Sequence, residues 1–147
     1  MEEKEQLAQI EQSRMLKTVY QYVNGYEKLN GLEVCFESFE DNGASLGLFS
    51  SQGAIVVKRF VTGGFRGMLP FCLVYRSNPT NDNQRLKKPE FLNNIADWLV
   101  DSDNYPKLKN IEIEGIEQTS VPFQSNTDES GVSDYMVTFN LYYRKDE

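Results

Sequence analysis

Three carboxylates come closest to forming a chemical site in this chain. Glu112, Glu114 and Glu117 lie in a segment with strand-like alternation, which places residues 112 and 114 on one face of the strand. Carboxylate oxygens so placed could bind a divalent cation. A row of acidic side chains on a strand is far more often a solvated face, and we favour that interpretation. The sequence therefore predicts no metal site and no cofactor.

A glycine-rich segment at residues 63–67 has some likeness to a phosphate-binding loop. It lacks the Gly-Lys-Ser/Thr ending of such loops, and no helix is predicted after it, so a turn between two strands explains it better. Lys58, Arg59 and Arg66 cluster around this predicted hairpin. We interpret them as surface or subunit-contact charges, and contacts with phosphates are the alternative.

The chain contains no histidine. This removes the commonest general base, the commonest metal ligand and every nucleophile that a histidine would activate. Fifteen basic against 22 acidic side chains give a net charge of −7, which argues against a surface built to bind nucleic-acid phosphates. We therefore expect a protein that is not an enzyme and that does not bind DNA specifically.

The two cysteines and the N-terminus indicate where the protein is made. Cys35 and Cys72 lie among strand-like residues, and we expect two reduced, buried thiols, with a disulfide or a reactive thiol as the alternatives. The first residues are acidic and no apolar run follows them, so no signal peptide is predicted. No stretch approaches the roughly 18 apolar residues of a membrane span. We expect synthesis in a reducing cytosol and no contact with a membrane.

The periodicity of apolar residues predicts one domain over residues 1–147. The predicted elements are a helix from 3 to about 24, a strand at 32–37, a hairpin of strands 54–61 and 68–75, a helix from Pro89 to Val100, and strands at 107–119 and 135–143. Pro70 implies an edge strand, a bulge, or a strand that begins at Phe71. The order predicts an α+β fold: a mixed, mostly antiparallel sheet with a long N-terminal helix and a second helix packed on one face.

Two aromatic side chains are predicted to anchor the core. Trp98 lies on the apolar face of the second helix, and we expect its indole to pack between helix and sheet. Phe139 lies on the apolar face of the last strand, where residues alternate strictly over nine positions.

A polar loop is predicted at residues 124–133. A loop of this length costs closure entropy, and no stabilising contact is evident in its composition. We expect it to contact a partner through Asn126, Asp128 and Glu129, and a merely tolerated loop is the alternative.

The order of these elements resembles a known family. The resemblance is carried by the strands at 58–60 and 71–76, the helical segment 93–99, the strand at 111–119, the polar loop and the closing strand at 135–143. The N-terminal helix with its aromatic stripe also fits. The chain resembles small structural proteins of tailed phages, the minor capsid and tail terminator proteins.

That resemblance implies a single tail-terminator-like domain with a role in virion assembly. Such subunits form a homo-oligomeric ring, commonly a hexamer, that caps the tail tube, ends its polymerisation and forms the head–tail joining surface. The implied partners are the tail tube protein and the head–tail connector proteins, and DNA would pass through the ring without specific binding. The protein would be made in the host bacterial cytoplasm and would lie in the tail or neck region of the virion. A neck or head-completion protein on the capsid side, or a non-viral binding module, is the alternative.

Overall fold

A computed structural model of the protein describes residues 14–29, 33–36, 45–50, 55–77, 82–108, 111–127 and 133–146. The helices are α1 (residues 14–24) and α2 (Asp82–Val100), and each is followed by a short 3-10 helix, Glu27–Leu29 and Ser102–Asn104 respectively. The strands are β1 (Glu33–Phe36), β2 (Ser45–Ser50), β3 (Ile55–Arg59), β4 (Phe65–Ser77), β5 (Ile111–Gln118), β6 (Phe123–Thr127) and β7 (Ser133–Lys145).

Two long antiparallel strands form the centre of a single seven-stranded sheet. β4 and β7 pair along their entire lengths, from Phe65 opposite Lys145 to Ser77 opposite Ser133. The other side of β4 is divided between β3, which pairs with its first residues, and β2, which pairs with its later ones. The other side of β7 is divided in the same way between β5 and β6. β1 extends the sheet beyond β2 in parallel orientation.

The main core lies on one face of this sheet. Alternate residues of β4 and β7 are at most 1% exposed and belong to one cluster with apolar residues of α1 and α2. Phe71 and Phe139 lie opposite each other, and their rings stack with centroids 5.0 Å apart. Each fully buried aromatic of this kind contributes roughly 1.5–3 kcal/mol through the hydrophobic effect. The structure therefore places Phe139 in the middle of the core.

The predicted fold class is wrong in its proportions of helix and strand. Strands make up about half of the residues that the structure describes, and the long N-terminal helix is not shown. The described helix covers residues 14–24, and the remainder of the predicted helix, residues 3–13, lies outside the described residues. The sheet is larger than predicted because β2 and β6 carry serine, glycine and other polar residues with weak strand propensity. They become strands by pairing with β4 and β7.

Two prolines fall at places that local rules disfavour. α2 begins at Asp82, so Pro89 lies inside the helix and does not begin it. Pro70 lies inside the central strand β4, between Met68, the last residue paired with β3, and Phe71, the first paired with β2. A proline lacks an N–H group, and here it falls in the gap between two partner strands. Of the three alternatives for Pro70, an edge strand and a strand that begins at Phe71 are therefore wrong.

The predicted loop at 124–133 is also partly a strand. β6 takes up its first residues, and Gln124 pairs with Tyr135 while Asn126 pairs with Asp134. Polar composition suggested a loop, but a polar strand is stable at a sheet edge where one face meets water.

Candidate functional site

The three basic residues predicted around the first hairpin lie together at one end of the sheet. Lys58 is opposite Arg66, and Arg59 is opposite Phe65. The turn between the strands is closed by two backbone hydrogen bonds: Phe60 N donates to Gly64 O at 2.9 Å, and Gly63 N donates to Phe60 O at 3.0 Å. Gly63 has φ of 103°, a conformation that favours glycine. The predicted hairpin is confirmed, and we refer to residues 57–64 as the β3 tip.

Three cationic side chains of this region lie close to aromatic rings. The Arg144 guanidinium lies 4.7 Å from the centroid of the Phe60 ring, and the Lys58 ammonium lies 6.0 Å from the same centroid. The Arg59 guanidinium lies 5.8 Å from the centroid of Phe65. Contacts of this kind contribute about 0.5–1 kcal/mol at exposed sites. Lys58 and Arg59 remain exposed, so their charges face solvent at the edge of the sheet.

Arg66 is occupied by a bidentate ion pair within the chain. Its Nε and Nη2 atoms donate to the two carboxylate oxygens of Glu114 at 2.6 and 3.2 Å. These hydrogen bonds, together with the charge of the carboxylate, raise the pKa of Arg66. Since β7 lies between β4 and β5, the ion pair crosses β7 on the face of the sheet opposite the helices. Arg66 therefore connects strands, whereas Lys58 and Arg59 face outward.

The three glutamates of β5 have different partners. A register shift between Ile113 and Gly115 accompanies the turn of Glu114 toward Arg66. Glu112 lies opposite Arg144, and Glu117 accepts a hydrogen bond from the Tyr142 hydroxyl at 3.4 Å. Within the described residues, no group of three or more acidic or thiol side chains could hold a metal ion.

The other predicted interface residues lie at the far end of the sheet. Asn126 is opposite Asp134, while Asp128 and Glu129 lie outside the described residues. Asp134 is 6% exposed and accepts two hydrogen bonds from Arg76, at 2.8 and 2.9 Å. About eleven residues of β4 separate this pair from the β3 tip, a distance of about 35 Å. The predicted interface residues therefore do not form one continuous site.

Trp98 lies at the contact between the two helices. Its ring is half-buried, with centroids 4.7 Å from Tyr22 and 5.3 Å from Tyr26. The structure thus places the indole against α1 and the residues that follow it, where it also packs against the core cluster.

The C-terminal end of α2 is capped by side chains that periodicity could not reveal. The Tyr22 hydroxyl donates to Leu99 O at 3.1 Å, and Asn104 Nδ2 donates to Trp98 O at 2.9 Å. The Tyr105 hydroxyl donates to Val100 O at 3.1 Å and accepts from the N–H of Ile116 on β5 at 2.9 Å. These bonds add partners to carbonyls of the last helical turn, where the regular helical pattern ends, and tie the helix end to β5.

Three exposed carboxylates surround the same helix end. Asp97 lies in its last turn, and Asp101 and Asp103 follow it, the Asp101 carboxylate accepting from Asp103 N at 3.0 Å. The last turn of α2 contains no basic residue. Carboxylates at the negative end of a helix dipole repel it, so this arrangement favours a nearby cation. We refer to Asp97, Asp101 and Asp103 as the acidic corner.

The two cysteines lie too far apart to form a disulfide. Cys35 is opposite Gly47, which is opposite Val74, two residues along β4 from Cys72. Two strand spacings and two residues put the cysteine Cα atoms about 12 Å apart. A disulfide needs less than about 7 Å. Burial raises the pKa of the Cys72 thiol.

Comparisons with known proteins concern the fold. No protein-family model matches the chain, and no curated protein sequence matches it. In the part of the chain that the structure describes, no helix is both long and apolar enough to cross a membrane. A solved structure described as the virion of the native gene transfer agent (GTA) particle contains a chain similar to this one, with a TM-score of 0.64 and 13% sequence identity. The match covers 88% of this chain and 93% of that chain, so the two share a fold over nearly their whole lengths.

Proposed function

We propose that this protein is a structural subunit of a phage-like virion, built by the association of folded surfaces. The observation that carries the proposal is the shared fold with a chain of a gene transfer agent virion, which covers 88% of one chain and 93% of the other. The coverage argues for an entire domain used in the same way, since a motif embedded in an unrelated protein would match only a part.

More specifically, the subunit caps the end of the tail tube as a ring. Ring closure ends tube polymerisation and forms the surface to which the head connector binds. The absence of histidine and the dispersal of the β5 carboxylates into separate pairs support a non-enzymatic role. The net charge of −7 supports passage of DNA without adhesion, because like charges repel.

Deletion of the gene in its producing strain tests this role. If the protein ends tube polymerisation, electron microscopy should show tails of abnormal length and heads without tails. Tails of normal length next to unjoined heads would contradict the tail-capping role and support a neck protein on the capsid side. Normal particles would contradict any essential role in the virion.

Mass measurement of the purified protein tests ring formation independently. Mass photometry and sedimentation velocity over a wide concentration range should reveal a single closed oligomer in exchange with monomer. A monomer at every concentration would contradict the ring, whereas an open series of larger species would contradict its closure.

A further inference from the structure

The two edges of one half of the sheet carry opposite charges. At this end the strand order is β3-β4-β7-β5, so the β3 tip and β5 lie on opposite sides, about 14 Å apart across three strand spacings. α2 lies over β5 and β7, and Tyr105 ties its end to β5. The acidic corner is therefore on the β5 side, whereas Lys58 and Arg59 are on the β3 side.

The β3 tip combines exposed charge with exposed apolar surface. Val57 is 51% exposed and Val61 is fully exposed, flanking the two exposed cations. Within the described part of the chain, Lys58 and Arg59 contact aromatic rings and form no ion pair. Apolar side chains beside unneutralised cations suit a contact with an acidic protein surface.

Direct pairing of strands across this contact is disfavoured. The register shifts on β3 between Val56 and Lys58, and on β5 between Ile113 and Gly115. On β5, the N–H of Ile116 is already taken by the Tyr105 hydroxyl. Bulges and occupied hydrogen-bonding groups protect sheet edges from adding another strand. The contact must therefore use side chains.

We infer that the β3 tip of one copy of this chain docks against the acidic corner of the next copy. Lys58 and Arg59 face Asp97, Asp101 and Asp103 of the neighbour, where they also compensate the negative end of the α2 dipole. The two surfaces are different and lie on opposite sides of the subunit. Such a heterologous contact repeats around an axis, and it closes into a ring where the rotation between neighbouring copies divides a full turn. This inference rests on the proposed ring and names the surfaces that form it.

Charge exchange in the full chain tests the contact. Lys58→Glu with Arg59→Glu places negative charges on both sides of the contact. Asp97→Lys with Asp103→Lys places positive charges on both sides. Asp101 is kept because its carboxylate caps the 3-10 helix. Each pair of substitutions should raise the concentration needed for assembly by about tenfold or more, because like charges across an interface are strongly unfavourable. Combining all four should restore assembly to near the wild-type concentration.

A matched control separates this contact from a general effect of charge. Lys17→Glu with Lys28→Glu makes the same change in net charge as the Lys58 and Arg59 substitutions, at exposed positions of α1 and the 3-10 helix after it, and it should leave assembly unchanged. Circular dichroism spectra of all variants establish that they are folded. Assembly of the wild type should also weaken between 0.05 and 0.5 M salt, since salt screens exposed charges.

Each result bears on the inference separately from the proposed ring. If the wild type forms a closed oligomer and both reversed pairs leave its mass distribution unchanged, the inferred contact is wrong while the ring stands. If both pairs disrupt assembly but the combination fails to restore it, the two surfaces do not face each other. A wild-type chain that remains monomeric overturns both.

Discussion

The ring of Tyr143 lies directly over the backbone of Gly67. The two residues are opposite each other on β7 and β4, and a Cβ atom at position 67 would come within 2.5 Å of Tyr143 Cζ. Tyr143 is 1% exposed, so its ring has no room to move aside. The glycine is required here by the close approach of an aromatic ring in the core.

Gly67→Ala should therefore destabilise the protein by about 1–3 kcal/mol, the usual effect of overpacking. Urea unfolding followed by circular dichroism measures this change. Gly115→Ala is the matched control, because nothing lies within 4 Å of its Cβ position, and it should be neutral or slightly stabilising. Equal midpoints for the two variants would contradict the packing described here.

Tyr105→Phe should loosen the connection between α2 and β5. The hydroxyl serves both Val100 O and the N–H of Ile116, so its loss leaves two part-buried backbone groups without a partner. We expect a loss of about 1–3 kcal/mol in the free energy of unfolding. Hydrogen exchange at the Ile116 amide should accelerate more than exchange in the middle of β7. Tyr142→Phe, which removes an exposed hydroxyl 3.4 Å from Glu117, should change stability by less than about 0.5 kcal/mol.

The two bidentate ion pairs should differ in their contribution to stability. Asp134 is 6% exposed, and loss of its charge by Asp134→Asn should cost about 1.5–3 kcal/mol, because the Arg76 guanidinium loses a charged acceptor and one of its two hydrogen bonds to this side chain. Glu114→Gln affects a pair whose side chains are 39% and 29% exposed, and its cost should be about 0–1 kcal/mol. Denaturant midpoints of both variants measure these two losses of stability. A larger loss for Glu114→Gln would contradict the expected order.

Truncation of the two aromatic anchors should affect different parts of the fold. Phe139→Ala removes a ring stacked inside the sheet core, and we expect a global loss of about 3–5 kcal/mol. Trp98→Ala removes a half-buried ring packed on α1, so about 2–3 kcal/mol is expected, at the low end for such truncations. Amide exchange should increase most in α1 for Trp98→Ala. A uniform increase across the sheet would place the indole in the main core instead.

Stability should fall at alkaline pH, and Tyr22 should account for part of the fall. Burial, with the nearby charges of Tyr105 and Asp101, raises the pKa of Tyr22 above its ordinary value of 10.0. Because the unfolded chain loses this proton first, the stabilisation is complete below about pH 10 and is lost as pH rises from there toward the pKa of the folded state. Tyr22→Phe should make the fall between pH 9 and 11 shallower. Identical pH dependence in the variant and the wild type would show that this hydroxyl is not buried as described.

Features encoded by neighbouring residues were predictable from the sequence. Strict alternation identified β7, the Gly63-Gly64 turn identified the hairpin, and the apolar repeat around Trp98 identified α2. Each of these depends on residues a few positions apart, where side-chain spacing follows directly from backbone geometry. The absence of histidine also follows from the sequence alone.

Features that depend on distant residues were decided by the tertiary structure. β2 and β6 are strands because β4 and β7 provide partners, and Pro70 is accommodated because two partner strands leave a gap beside it. Arg66 connects β4 to β5 because Glu114, 48 residues away, lies within hydrogen-bonding distance of its side chain. The charges on opposite edges of the sheet likewise emerge only when strand order is known. Pairing register brings together residues that no local pattern relates, and for this reason the interface inferred here could not be read from the sequence.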